Sequence, residues 1–375
     1  MIPHSKPTLN KEEALAVVDV INSGYVSQGK VVERFESDMA RYIGVKGGVA
    51  VNSGTAALHL SLIALGIKEG DDVAIPSYIC PALLNAVNYT GARPLLIDIN
   101  PDSYNISPAD LKKKLTKKTR AVIVPHIFGL PADIKDILSI GIPVIEDCAQ
   151  SVGASYKDKK AGSFGHCAIF SFYATKVMTT GEGGMVVSNS DKILENIRDL
   201  REYDHKANYI IRYNYKMTDM QAALGISQLK RLDSFISRRR EIANLYNNRF
   251  SNLGIAIPKV YPESEHIYFR YVIRRNPPLS PFTKGGMKVG LEEDLKFFED
   301  NGVKCMRPVF KPIHRYLTPP PSPPSQGGDK WGGGFPETDR VWNELISIPI
   351  YPSLSNDEVK KILKVAEKWW RIKIE

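Results

Sequence analysis

Between residues 10 and 250 the chain alternates two hydrophobic rhythms. Short, nearly unbroken apolar runs recur at Gly48–Val51, Val73–Pro76, Pro94–Asp98, Ala121–Pro125, Pro143–Asp147, Ala168–Phe172 and Met185–Ser188. Runs of this length and composition predict strands buried on both faces. Between them, apolar residues recur at helical spacing. A first helix is predicted from Lys11 to Asn22, with Asn10 as cap, Glu13 three residues on and Gly24 just past its end. Another follows a glycine turn over Thr55–Leu65, and Thr218–Gln221 has the form of a capping box opening a helix to about Leu232. Strands that alternate with helices predict a mostly parallel sheet covered by helices. Residues 1–250 therefore read as one large α/β domain.

The texture changes after Ser251. A strand is expected at Tyr268–Arg274, a helix at Leu291–Asn301 and a final amphipathic helix at Asn356–Trp370, together a small C-terminal α+β domain over 251–375. Two stretches interrupt it, at about 276–290 and 318–334. Both open on Pro/Ser clusters and end on glycines, so neither has the apolar content to form a core. They read as low-complexity insertions without chemistry.

Composition narrows the class. Of 375 residues, 43% are hydrophobic and 24% charged, ordinary globular usage that excludes fibrous or wholly disordered chains. No segment approaches the ~20 uninterrupted apolar residues of a membrane-spanning helix, and the first residues lack an apolar signal core, so no membrane and a cytosolic location are expected. The net charge of +9 raises nucleic acid as a partner. Its densest runs, Lys112–Lys118 and Arg238–Arg240, lie in helix-like stretches and read as solvated faces instead. The cysteines at 80, 148, 167 and 305 have no metal-binding spacing, so no metal is expected.

Three local signals carry chemistry. Lys176 follows the run Ala168–Phe172 among small and apolar residues and precedes the glycine-rich Thr180–Gly184. Partial desolvation there lowers an amine's pKa and makes it a nucleophile, although a lysine in that place also reads as one simply reaching water. Asp147 ends an apolar strand, where open α/β sheets bind ligands. It can hold a protonated ring nitrogen, or merely cap the next helix. Asn52-Ser53-Gly54-Thr55 turns from strand into helix, and the free amides of such a start favour a phosphate. In that order the three make the part list for pyridoxal 5′-phosphate (PLP): phosphate anchor, pyridinium partner and aldehyde-binding lysine.

The motifs Ser53–Leu58, Glu146–Gln150, Gly162–Gly165, Phe170–Lys176, Gly181–Gly184, Tyr213–Thr218 with Gln221–Gly225, and Ser347–Ser353 resemble those of the DegT/DnrJ/EryC1/StrS aminotransferases. These are PLP enzymes that aminate keto groups on nucleotide-linked sugars. The resemblance spans nearly the whole chain and implies a fold-type I aminotransferase, a homodimer with shared active sites, and an amino-acid donor, L-glutamate. It implies that Lys176 forms the Schiff base, that Asp147 partners the pyridine nitrogen and that Gln150 lies beside the phenolic oxygen. Gly54, Thr55 and Ser171 match the phosphate positions, and Asn214 matches an asparagine reaching the phosphate from the neighbouring subunit. Cys80 stands where the family often places a ring over the cofactor, so that either Cys80 or a shifted Tyr78 takes the role. Arg307, His314 and Arg315, with Lys311, match a basic segment expected to meet the nucleotide diphosphate. Some relatives carry histidine in place of the lysine and dehydrate sugars; Lys176 favours transamination over that reading and over a non-catalytic regulatory relative.

Overall fold

The computed structural model describes residues 1–275, 290–317 and 334–374. Apart from Gly290 and Gly334, the two low-complexity stretches lie outside the described residues.

Seven strands form the main sheet: β1 (Gly47–Val51), β2 (Asp72–Pro76), β3 (Arg93–Ile97), β4 (Thr119–Pro125), β5 (Val144–Asp147), β6 (Cys167–Ser171) and β7 (Gly184–Ser188). Their spatial order is β1-β7-β6-β5-β4-β2-β3. Only β7 runs against the rest, pairing antiparallel with both β1 and β6, while the other neighbours are parallel. The fold is thus the mostly parallel α/β sheet expected from the apolar runs, with strand limits within two residues of theirs. Val73, Ala74, Ile75 and Val122–Val124 are fully buried because helices cover both faces. One face packs on Ala57, Leu58 and Leu60 of helix Gly54–Ala64. The other packs partly on Phe35 and Met39, and partly on Leu111, Ile134 and Ile137.

Caps appear where their residues predicted them. Asn10 accepts from the Glu12 amide at 2.8 Å, and its own amide donates to Glu13 Oε2 at 2.7 Å, opening helix Lys11–Ser23. Thr218 and Gln221 form the second box, yet the helix they open runs on to Asn252 rather than ending near Leu232. Nothing between breaks it, and Ile242, Ala243, Tyr246 and Phe250 on its later turns pack into a separate apolar core. That core also takes β8 (Tyr271–Arg274), β9 (Leu345–Ile348), helices Leu291–Asp300 and Asn356–Ile374, and Ile2 from the chain's start.

The Arg238–Arg240 run is not the solvated face expected of it. Arg239 is buried, donating to the carbonyls of Tyr268, Phe269 and Ile350 at 2.9–3.3 Å. Arg238 donates to the Leu354 carbonyl and Arg240 to that of His266. The run clamps the segment that leads into β8 onto the long helix. Lys117 and Lys118 lie past helix Pro108–Lys114, in the turn before β4. No helix among the described residues is long and apolar enough to cross a membrane.

Candidate active site

The carboxyl ends of β2, β4, β5 and β6 lie side by side at one edge of the sheet, the place where open parallel sheets bind ligands. Asp147 ends β5, in register with Pro125 and Ile169 on its neighbours. It is buried, one carboxylate oxygen accepts from the Ala149 amide at 2.9 Å, and no described hydrogen bond takes the other. Burial raises its pKa above the usual carboxylate value, partly opposed by the Ala149 amide and by Lys176. A cationic group placed against that oxygen would favour the charged form.

Lys176 is not at the strand end itself but five residues past β6, on a turn pinned from both sides. The Phe172 amide donates to the Gly183 carbonyl and the Thr180 amide to the Phe172 carbonyl, each at 2.9 Å, while Val177 and Met178 are buried in the core. The close return needs glycine at 183, where φ is 157° and a β-carbon would stand 2.4 Å from Thr180 Oγ1. The half-buried Lys176 reaches back so that its ammonium lies 5.2 Å from the centre of the Phe269 ring. Burial lowers its pKa below the ordinary lysine value; Cys80 and Asp147 oppose this and Arg270 adds to it. A larger neutral fraction makes the amine available as a nucleophile and base.

Gly54 and Thr55 begin helix Gly54–Ala64, where Ser53 takes the Ala56 amide at 3.1 Å and no described hydrogen bond takes the amides of Gly54 or Thr55. Ser171 lies directly against Gly54: a β-carbon there would be 2.8 Å from the Ser171 β-carbon. Free amides, a hydroxyl and the missing side chain leave a cradle suited to a phosphate. Gln150 accepts from the Phe128 amide at 2.9 Å through its side-chain oxygen, leaving its NH₂ to donate. That contact steadies Phe128, which sits in the left-handed region at φ 59°. The exposed Asn214 borders the cradle through its carbonyl, 3.3 Å from Asn52 Nδ2 of the same chain.

Cys80 is exposed at the cleft and close enough to Lys176 and Asp147 to feel their charges. Tyr78 is fully buried, its ring edge-on to Phe128 at 6.4 Å. The expected basic segment is brought together, but around carboxylates of its own. Arg315 pairs with Asp339 at 2.6 Å and Arg307 with Glu292 at 2.9 Å, and both guanidiniums stack on Trp342. His314 Nδ1 lies 2.6 Å from Ser77 Oγ, linking this cluster to the segment after β2. Lys311 lies over Tyr316.

Two residues of this cleft escaped the sequence reading, Phe269 and Arg270. An arginine inside the apolar run Tyr268–Ile273 was their only available signal. Another buried set, His126, Glu146 and Cys148, brackets a space small enough for a cation. Its atoms are otherwise committed: His126 Nε2 donates to Glu146 at 2.9 Å, and Glu146 takes the amides of Gly162, Phe164 and Gly165. Burial also holds the Cys148 thiol protonated. The set anchors the loop after β5 to β4. Taken together, the cleft is built to hold a phosphorylated aldehyde carrying a basic ring nitrogen.

Comparison with known proteins agrees. The model of the DegT/DnrJ/EryC1/StrS aminotransferase family matches residues 7–366. The GDP-perosamine synthase of Vibrio cholerae is 34% identical over 380 residues, covering 99% of each chain. Among solved structures, the aminotransferase TlmJ from Streptoalloteichus hindustanus superposes with a TM-score of 0.88 at 27% identity, covering 100% of each chain. DesV of S. venezuelae, solved in complex with a ketimine intermediate, gives 0.85 at 29% identity over 96% of this chain and 94% of its own.

Proposed function

The chain belongs to the DegT/DnrJ/EryC1/StrS aminotransferase family and is a PLP-dependent enzyme; from that premise we propose that it moves an amino group from L-glutamate to a keto group on a nucleotide-linked sugar. The observation that carries the reading is the convergence of three groups on one cleft: the depressed amine of Lys176, the under-partnered carboxyl of Asp147 and the Gly54–Ser171 cradle.

When bound, PLP supplies an electrophilic carbonyl carbon and an electron-accepting ring. The residues around it do the rest. The amides of Gly54 and Thr55 and the Ser171 hydroxyl hold its phosphate, with Asn214 a further contributor. Asp147 keeps the ring nitrogen protonated, and Gln150 donates from its NH₂ to the phenolic oxygen. Cys80, exposed beside Lys176 and Asp147, would be the side chain available to cover the ring. Lys176 would bind the carbonyl carbon and, as a free amine with a lowered pKa, would move a proton to and from the donor's α-carbon. The nucleotide-linked acceptor is supported by relatives such as the GDP-perosamine synthase of V. cholerae. Arg307, His314 and Arg315 rim the cleft as its candidate contacts.

The functional unit is a homodimer. Tyr209 and Ile211 are 94% and 69% exposed on the segment that leads to Asn214, an apolar strip that a second copy would cover. The purified protein should be yellow, and L-glutamate should bleach the band. An enzyme that binds no PLP, or whose band resists every amino acid, sinks the proposal; elution as a monomer sinks the dimer.

A further inference from the structure

We propose that Arg270 recognises the carboxylate of the amino donor and so selects an α-amino acid as the source of nitrogen. The inference rests on the aminotransferase reading above. Arg270 is half-buried at the cleft, and none of its described contacts is to a carboxylate. One nitrogen of its guanidinium lies 3.3 Å from His4 Nε2 and 3.4 Å from the Met306 sulfur, and its backbone amide donates to the Phe128 carbonyl at 3.3 Å. The His4 and Met306 contacts fix the guanidinium without neutralising it, and the backbone bond anchors the residue itself. His4 is itself uncharged near neutral pH, since burial, with Arg270 and Arg239, depresses its pKa to about 3.

Position decides which anion it meets. The Arg270 guanidinium lies 5.5 Å from the centre of the Phe269 ring, and the Lys176 ammonium lies 5.2 Å from the same ring. Both cations therefore lie close to one aromatic ring, and Arg270 is near enough to depress the Lys176 amine. In an α-amino acid the carboxylate is one bond from the carbon whose proton Lys176 must move. In a nucleotide-linked sugar the diphosphate is separated from the reacting carbon by the sugar ring. A guanidinium near Lys176 with no described carboxylate partner fits the first anion, and its planar fork suits a bidentate carboxylate. By contrast, Arg307 and Arg315 each have a carboxylate already. Arg239, the other arginine of this region held by neutral groups, is buried among carbonyls. Arg270 also depresses the Lys176 amine. A bound carboxylate cancels that charge, so donor binding raises the basicity of Lys176 when it is needed as a base.

The test uses the PLP-loaded full chain as wild type, Arg270→Gln and Arg270→Lys. Three readouts are taken: cofactor absorbance, bleaching titrated with L-glutamate or with its α-carboxamide, and calorimetric binding of GDP. The Gln variant should load PLP normally yet need roughly ten- to a hundredfold more glutamate for half-bleaching. The Lys variant should recover part of the loss, and GDP binding should not change. The wild type should discriminate against the α-carboxamide, and the Gln variant should lose that preference. The idea is overturned if the glutamate titration is unchanged, if GDP binding weakens instead, or if only the pH at which the absorbance titrates moves. Should the Gln variant fail to load PLP, the wild-type preference for carboxylate over carboxamide decides. A wild type that binds no PLP refutes the aminotransferase reading itself, and is seen before any variant is compared.

Discussion

Gly54 and Ser171 touch across the floor of the cleft, so closely that any side chain at 54 would stand 2.8 Å from the Ser171 β-carbon. The first turn of helix Gly54–Ala64 and the end of β6 can meet only because residue 54 has none. Gly54→Ala should push the two apart by a few tenths of an ångström and cost about 1–3 kcal/mol. Because the cradle is formed by this contact, PLP affinity should fall with stability. Titration of apo-enzyme with PLP, beside a thermal melt, checks it; an alanine variant with native affinity would show that the cradle lies elsewhere.

Lys176→Ala and Asp147→Asn should separate two roles. The first removes the covalent attachment and the mobile proton, and should lower turnover by at least about a hundredfold. Asp147→Asn keeps the shape and the contact with Ala149, but loses the charge that holds the ring nitrogen protonated. We expect PLP to remain bound and the half-reaction with glutamate to slow by about a hundred- to a thousandfold. Single-turnover bleaching rates decide, and an Asn variant near wild-type speed would remove Asp147 from the mechanism.

Acid should destabilise this fold earlier than its carboxylates alone would. Burial depresses His266 to about 3, as its Nδ1 accepts from the Tyr268 amide at 2.9 Å; His4 is depressed to a similar value. Both are neutral in the folded chain and take up a proton near pH 6.5 once unfolded. Their contribution is therefore complete above about pH 6.5 and is lost as pH falls from there toward 3, at up to ~1.4 kcal/mol per pH unit for each. Denaturant midpoints measured down this range should show a slope that His266→Gln reduces. A flat profile between pH 6.5 and 4.5 would contradict it.

Asp98, at the end of β3, ties helix Pro336–Glu344 to the sheet. Its carboxylate takes the amides of Glu337 and Thr338 at 3.0 and 2.9 Å and the Thr338 hydroxyl at 2.7 Å. Asp98→Ala should cost about 2–3 kcal/mol. It should also loosen Asp339, and with it His314 and Arg315 at the rim. Chemical denaturation measures the first effect and protease sensitivity near 336 the second; an unchanged midpoint would mean the helix is held by other contacts.

Local chemistry decides local structure, and that part of this protein was legible in its order of residues. The strands β2, β4 and β5 are apolar on both faces because helices cover both, so each appears as an unbroken run. The boxes at Asn10–Glu13 and Thr218–Gln221 are read from residues three apart that bond to each other. Lys176, Asp147 and Gly54 stood out as candidates because each ends or follows an apolar strand run. What pairs with what across the fold could not be read this way. Helix Asp219–Asn252 passes Leu232 because its later turns have an apolar core to enter, and that core is assembled from segments as far apart as Ile2 and Trp369. Arg239 looks like a surface charge until three distant carbonyls surround it. Arg307 and Arg315 look free until Glu292 and Asp339 fold onto them, and Arg270 looks like any strand arginine until no described acid does. Charge compensation and burial are properties of the packed chain, set by which segments meet, so only the tertiary structure shows which cation near Lys176 lacks a described carboxylate partner.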